Sequence, residues 1–156
     1  MGNEEIKRLL KALDTLQFAE RIGELNRLKQ EFGESFDAIV AEHVAEQTRE
    51  EWTVLAGIHP RNNIQELVDI QWEHISRSGG FEFQIVTQTK GTTVNCSHCP
   101  LADMANHLNA AHWGYLYYCK RSEVAVETFN PALGFSRSKT LMQGDDLCDH
   151  HYYVKG

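Results

Sequence analysis

The sequence is poor in the features that mark several large functional classes. Basic side chains are outnumbered, 15 Lys and Arg against 22 Asp and Glu for a formal charge of −7. No basic stripe is therefore available to neutralise a phosphate backbone, and a nucleic-acid partner is not expected. Lys7, Arg8 and Lys11 alternate with apolar positions and read as the solvated face of an amphipathic helix. No apolar run approaches the roughly 20 residues of a membrane-spanning helix. The opening "MGNEEIKRLL" has acids where a secretory signal carries bases, and Ile6 stands where a myristoylation motif needs Ser or Thr. The expectation is a cytoplasmic protein with no membrane partner. Gly-rich phosphate loops, a GxSxG elbow and an HExxH helix are all missing, which leaves NTPase, serine-hydrolase and metalloprotease readings without support.

Proline is scarce, three in 156 residues, and no repeat or Pro/Ser-rich linker divides the chain. With 42% hydrophobic and 24% charged residues the composition is that of a folding chain, long enough for one core and too short for two ordinary ones. The expectation is a single domain over 1–156, helical over 1–78 and of sheet and helix over 79–156. The boundary is "SRSGG", Ser76 to Gly80, where the hydrophobic period changes from helical to alternating.

Three helices are predicted in the front: about Glu4 to Phe32 with an interruption near Phe18 to Gly23, about Ser35 to Leu55, and a third opened by Asn63 and Glu66 and closed by Gly79. Beyond the boundary, "FEFQIVTQT" alternates as a strand, and Lys90-Gly91 turns it into a second strand over Thr92 to Cys96. Pro100 opens a helix, and Trp113 to Phe129 forms another. Two last strands, about Phe135 to Met142 and Leu147 to Val154, flank a Gly144-Asp145 turn. The predicted class is α+β, a mainly antiparallel four-stranded sheet packed with helices.

The chemistry concentrates in four cysteines, Cys96, Cys99, Cys119 and Cys148. In a reducing compartment these are thiols or metal ligands rather than disulfides. Their spacing is not that of a zinc ribbon, but ligands need converge only in space. Cys99, Cys119 and Cys148 could hold a transition metal such as zinc or iron, completed by His98, His107, Asp149 or His150. The competing reading makes Cys119 and Cys148 small buried hydrophobes. Glu123, four residues after Cys119 on the same helical face, would need a cation if buried, and Arg137 or Lys139 could supply it. In "GDDLCDHHYYV" alternation places Cys148, His150 and Tyr152 on one face of a strand, and a thiol beside an imidazole suits a nucleophile. Asp145 and Asp146 precede that strand and read either as site acids or as a polar turn.

The order of Cys99-Pro100, Cys119, "NPALGFSRSKTLMQGDD" from Asn130 to Asp146, and Cys148-Asp149 resembles the L-2-amino-thiazoline-4-carboxylic acid hydrolase family. The resemblance spans roughly Phe81 to Val154. It implies a cysteine-rich α+β domain that opens a thiazoline ring by hydrolysis, a step toward L-cysteine. Such chemistry needs a nucleophile, a proton carrier and a cation for the carboxylate. The residues that fit are Cys148 or Cys119 as nucleophile, Asp146 and His150 as acid or base, and Arg137, with Glu123 and Asp145, around the substrate. The partner is then a small-molecule substrate, with a homo-oligomer open. The alternative is a non-catalytic module holding a metal, haem or small molecule in the same Cys/His pocket.

Overall fold

The computed structural model describes Gly2 to Gly156. Three helices lead: α1 Asn3–Leu13, α2 Phe18–Phe32 and α3 Ser35–Ile58. The break between α1 and α2 falls at Asp14 to Gln17, earlier than predicted. There the Thr15 hydroxyl donates to the Ala12 carbonyl at 2.7 Å, and Arg21 donates to the freed Leu16 carbonyl at 3.0 Å. The chain restarts where Glu20 Oε1 accepts the Gln17 N–H.

After a turn, α4 Ile64–Val68 is capped by Asn63, whose side chain accepts the Glu66 N–H at 2.9 Å, and continues as a π-helical stretch over Asp69–Ser76. Strands β1 Glu82–Gln88 and β2 Gly91–His98 form the expected hairpin. Gly91 has φ +149°, and a Cβ there would collide with the Tyr152 carbonyl, so only glycine lets the hairpin lie this close to the last strand. Then follow α5 Pro100–His107, α6 Ala111–Gly114, a π-helical stretch Tyr115–Cys119, α7 Arg121–Phe129, β3 Leu133–Ser136 and β4 Cys148–Val154. The sheet is antiparallel throughout, in the order β1-β2-β4-β3. The class is thus the predicted α+β fold.

Two further elements differ from expectation. Strand β3 begins at Leu133 and ends at Ser136, short of Met142. Beyond it the backbone N–H groups of Ser138 and Lys139 go to the Asp149 carboxylate, and that of Thr140 goes to Asp145, rather than to a strand partner. The helix expected over Trp113 to Phe129 is interrupted by the π-helical stretch, whose extra residue rotates everything after it by about 100°.

The core has two lobes. One gathers Leu10, Leu25, Phe36, Val40, Trp113 and Tyr117 among the helices. The other packs the inner sheet face, with Val94, Cys96, Cys148 and Tyr152, against Trp52, Leu67, Trp72, Val126 and Phe129. Cys99 and Leu141 pack against both lobes. Among the described residues no helix is long and apolar enough to cross a membrane.

Candidate functional site: a cavity lined by four thiols

Strand alternation fixes which β4 side chains face inward. Burial along the strand follows the period of two, so Cys148, His150 and Tyr152 point at the helices while Asp149, His151 and Tyr153 do not. Strand β2 lies in register beside it with Cys96 opposite Cys148. Above these strands, α3, the π-helical stretch after α4 and the start of α7 leave a cavity of about 370 Å³. All four cysteines line it, together with Arg137, His150, Tyr152, Trp52, Trp72 and Met142. Cys99, Cys119 and Cys148 therefore converge although they lie on three separate elements. Cys96 shares the cavity with them, because its register with Cys148 gives it the same face. A larger groove of about 610 Å³ beside the β1–β2 turn holds His151 and Tyr153 but no thiol, and it is shallow.

The thiols are set apart by what touches them. Burial pushes Cys96 and Cys119 up to about 12. It raises Cys99 and Cys148 as well, but each sulfur there accepts backbone N–H bonds that favour the thiolate. For Cys99 the donor is Ala102 at 3.4 Å, at the N-terminus of α5. For Cys148 it is Leu141 at 3.2 Å, with the Arg137 charge acting in the same direction.

Arg137 arrives from the short β3 strand. Its guanidinium donates to the Cys119 carbonyl at 3.1 Å and the Ser122 hydroxyl at 3.3 Å, and lies over the Phe135 ring at 5.5 Å. No carboxylate approaches it within salt-bridge distance among the described residues, so neither Glu123 nor Asp149 neutralises it. His150, 9% exposed, is held between Trp72 at 4.8 Å and Phe135 at 5.8 Å. Its Nδ1 is buried without a hydrogen-bond partner. Burial, with the Arg137 charge adding to it, lowers its pKa to about 3, so the ring is neutral. Tyr152 accepts the Trp72 indole N–H at 2.9 Å.

The acids expected around this site lie elsewhere. Glu123 is exposed: the π-helical stretch ends at Cys119, Lys120 breaks the helix, and α7 starts anew at Arg121, so the two residues are not one turn apart on a single helix. Asp146 is exposed and pairs with Lys139 at 3.3 Å, and Asp145 accepts the Thr140 N–H. Asp149 ties Ser138 and Lys139 to β4, and these bonds hold its carboxyl low against the opposing effect of burial. Together the hairpin acids shape the loop that brings Leu141 to Cys148. Among the described residues no group of three or more His, Cys, Asp or Glu side chains is disposed to hold a metal ion. The thiols expected as zinc or iron ligands share a cavity without forming such a group. Trp72 and Glu51 line the cavity and were not singled out from sequence. The alternation that singled out Cys148 and His150 also contains Tyr152.

The fold and the cavity thus define an α+β domain with a thiol-bearing, largely apolar site that carries one uncompensated cation. The model of the L-2-amino-thiazoline-4-carboxylic acid hydrolase family matches residues 5–152, and the chain belongs to that family. The match covers the helical front as well as the Phe81 to Val154 portion where the motifs are legible. Among solved structures, the chain is similar to a trafficking protein particle complex subunit 3 from Naegleria fowleri covalently bound to palmitic acid. That likeness has a TM-score of 0.52 at 11% identity, over 88% of this chain and 93% of the other, and is one of fold. No curated protein matches.

Proposed function

We propose that the chain is a hydrolase opening a carbon–nitrogen or carbon–sulfur bond in a small carboxylate-bearing heterocycle of the 2-amino-thiazoline type. The observation that carries this reading is Arg137, a half-buried guanidinium with no carboxylate partner inside a thiol-lined cavity. A cation kept in an apolar site without a counter-charge is poised for an anionic ligand, and its planar fork suits a carboxylate. Cys148 is the nucleophile favoured by its Leu141 N–H bond, the Arg137 charge acting on it and on Cys119 alike. Its S–H adds across the amidine C=N bond, sulfur to carbon and proton to nitrogen. The ring C–N or C–S bond then breaks, with neutral His150 passing a proton from the amidine nitrogen to the departing atom. Water displaces Cys148, so the net reaction consumes one water.

Turnover of L-2-amino-thiazoline-4-carboxylate, followed by mass spectrometry of the products, tests the reading. Activity in the parent protein and its loss in Cys148→Ser are expected. An inactive parent protein would overturn it.

A second reading has its own support: the wall is mostly apolar, and burial raises all four thiols above their ordinary range. A cavity of that kind suits a module that holds an apolar or acyl ligand without turnover, and the solved structure of similar fold carries palmitic acid covalently. Binding without turnover of any thiazoline would favour it.

A further inference from the structure

Cys96 takes no part in the hydrolysis derived above, yet the fold seats it against the nucleophile. Strand β2 carries it opposite Cys148 in the antiparallel register, both side chains line the cavity, and both are free thiols. Opposed residues in such a ladder have Cα atoms about 4.5 or 5.5 Å apart, and a disulfide spans about 4.4–6.8 Å, so either kind of pair is within bonding range. Their Cβ atoms lie about 4.5–5.5 Å apart, whereas a disulfide needs about 3.5–4.5 Å. The strands must therefore draw together slightly, which leaves the bond strained and easily reduced. Cys99 and Cys119 reach the cavity from the start of α5 and from the π-helical stretch, with no such backbone pairing to Cys148.

We propose that Cys96 and Cys148 form a reversible disulfide when a small peroxide enters the cavity, blocking the nucleophile and sparing it irreversible oxidation. Cys148, 7% exposed against 1% for Cys96, meets the oxidant first. Its thiolate sulfur attacks one oxygen of hydrogen peroxide and the O–O bond breaks. The sulfur is oxidised to a sulfenic acid, and the departing hydroxide takes up the proton the thiol had released, giving water. The Cys96 sulfur then attacks the Cys148 sulfur, the S–O bond breaks, and the hydroxide leaves with the Cys96 proton as a second water. Two thiols and one peroxide thus become one disulfide and two waters. The order agrees with the surroundings of each thiol. The Leu141 N–H at 3.2 Å favours the thiolate at Cys148, while burial pushes Cys96 up to about 12 and its S–H donates to the His98 carbonyl at 3.3 Å. The loss of turnover rests on the hydrolase reading with Cys148 as nucleophile; the disulfide rests on the strand register alone.

The test oxidises the parent protein with hydrogen peroxide, alkylates the remaining thiols and measures intact mass. The protein should lose the mass of two hydrogen atoms and keep two alkylatable cysteines, and fragmentation of the proteolytic peptides without reduction should join Cys96 to Cys148. Turnover of L-2-amino-thiazoline-4-carboxylate should be lost on oxidation and regained with dithiothreitol. In Cys96→Ser the same treatment should carry Cys148 to the sulfinic acid, so that turnover is lost and dithiothreitol does not restore it. The mapping uses the parent protein and decides even if that variant fails to fold. A disulfide between Cys96 and Cys99 with Cys148 free, or direct conversion of Cys148 to the sulfinic acid in the parent protein, would overturn the proposal. A Cys96–Cys148 disulfide in a protein that turns over no thiazoline would uphold the modification site and overturn the hydrolase reading instead.

Discussion

Replacing Arg137 by lysine keeps the charge and removes the fork, and the structure sets what should follow. The guanidinium spends one N–H on the Cys119 carbonyl and one on the Ser122 hydroxyl, which leaves further donors on the same planar group for a ligand. A hydrogen bond to a charged partner contributes about 1.5–3 kcal/mol, so losing one from the clamp should weaken binding of a small carboxylate about 10- to 150-fold. The same change also removes two bonds to protein oxygens, each worth roughly 0.5–1.5 kcal/mol, and should lower stability by about 1–3 kcal/mol. The two effects separate experimentally. Calorimetry with 5-oxopyrrolidine-2-carboxylate reads the first, and urea unfolding without ligand reads the second. A fall in stability with unchanged affinity would refute the clamp and leave Arg137 as a strut between β3 and α7. A fall in affinity with unchanged stability would show that the bonds to Cys119 and Ser122 add nothing to the fold.

His150 should make the protein acid-sensitive in a definable window. Its folded pKa of about 3 lies below the ordinary 6.5, so the unfolded chain binds the proton first as pH falls. The stability it permits is complete above about pH 6.5 and is lost toward pH 3, at a slope of up to about 1.4 kcal/mol per pH unit. Urea unfolding from pH 7 to 4 should therefore be flatter in His150→Phe than in the parent; parallel curves would show that the ring is not buried neutral. Cys148→Ser should reduce turnover of L-2-amino-thiazoline-4-carboxylate at least about 100-fold while a carboxylate probe still binds. Cys96→Ser, which keeps a donor for the His98 carbonyl now 3.3 Å from the thiol, should leave turnover within about threefold. Equal losses in a kinetic assay would make the register-paired cysteines a functional unit. A Cβ on Gly114 would lie 2.8 Å from Ala105 Cβ and 2.7 Å from Met142 Sδ, so Gly114→Ala should cost roughly 1–3 kcal/mol by thermal unfolding. Because Met142 lines the cavity, probe affinity should fall as well.

Whatever depends on local periodicity was legible along the chain. The period-two pattern of β4 put Cys148, His150 and Tyr152 on one face and Asp149 on the other, while burial in the fold decided which face turned inward, and the change of period at Ser76 to Gly80 separated helices from sheet. The motifs from Cys99 to Asp149 pointed to the family that the match over 5–152 shows. What failed was periodicity carried across an irregularity. Glu123 falls on the Cys119 face only if one helix with 3.6 residues per turn runs through both, and the chain instead ends a π-helical stretch at Cys119, breaks at Lys120 and starts α7 at Arg121. Strand β3 was drawn too long because side-chain carboxylates, Asp145 and Asp149, take backbone N–H groups that alternation assigns to a ladder. Long-range pairing set the rest: Cys96 beside Cys148 through strand register, Trp72 on Tyr152 across 80 residues, and Arg137 left without a carboxylate. Register and burial are properties of two or more segments at once, and no window along one chain contains them.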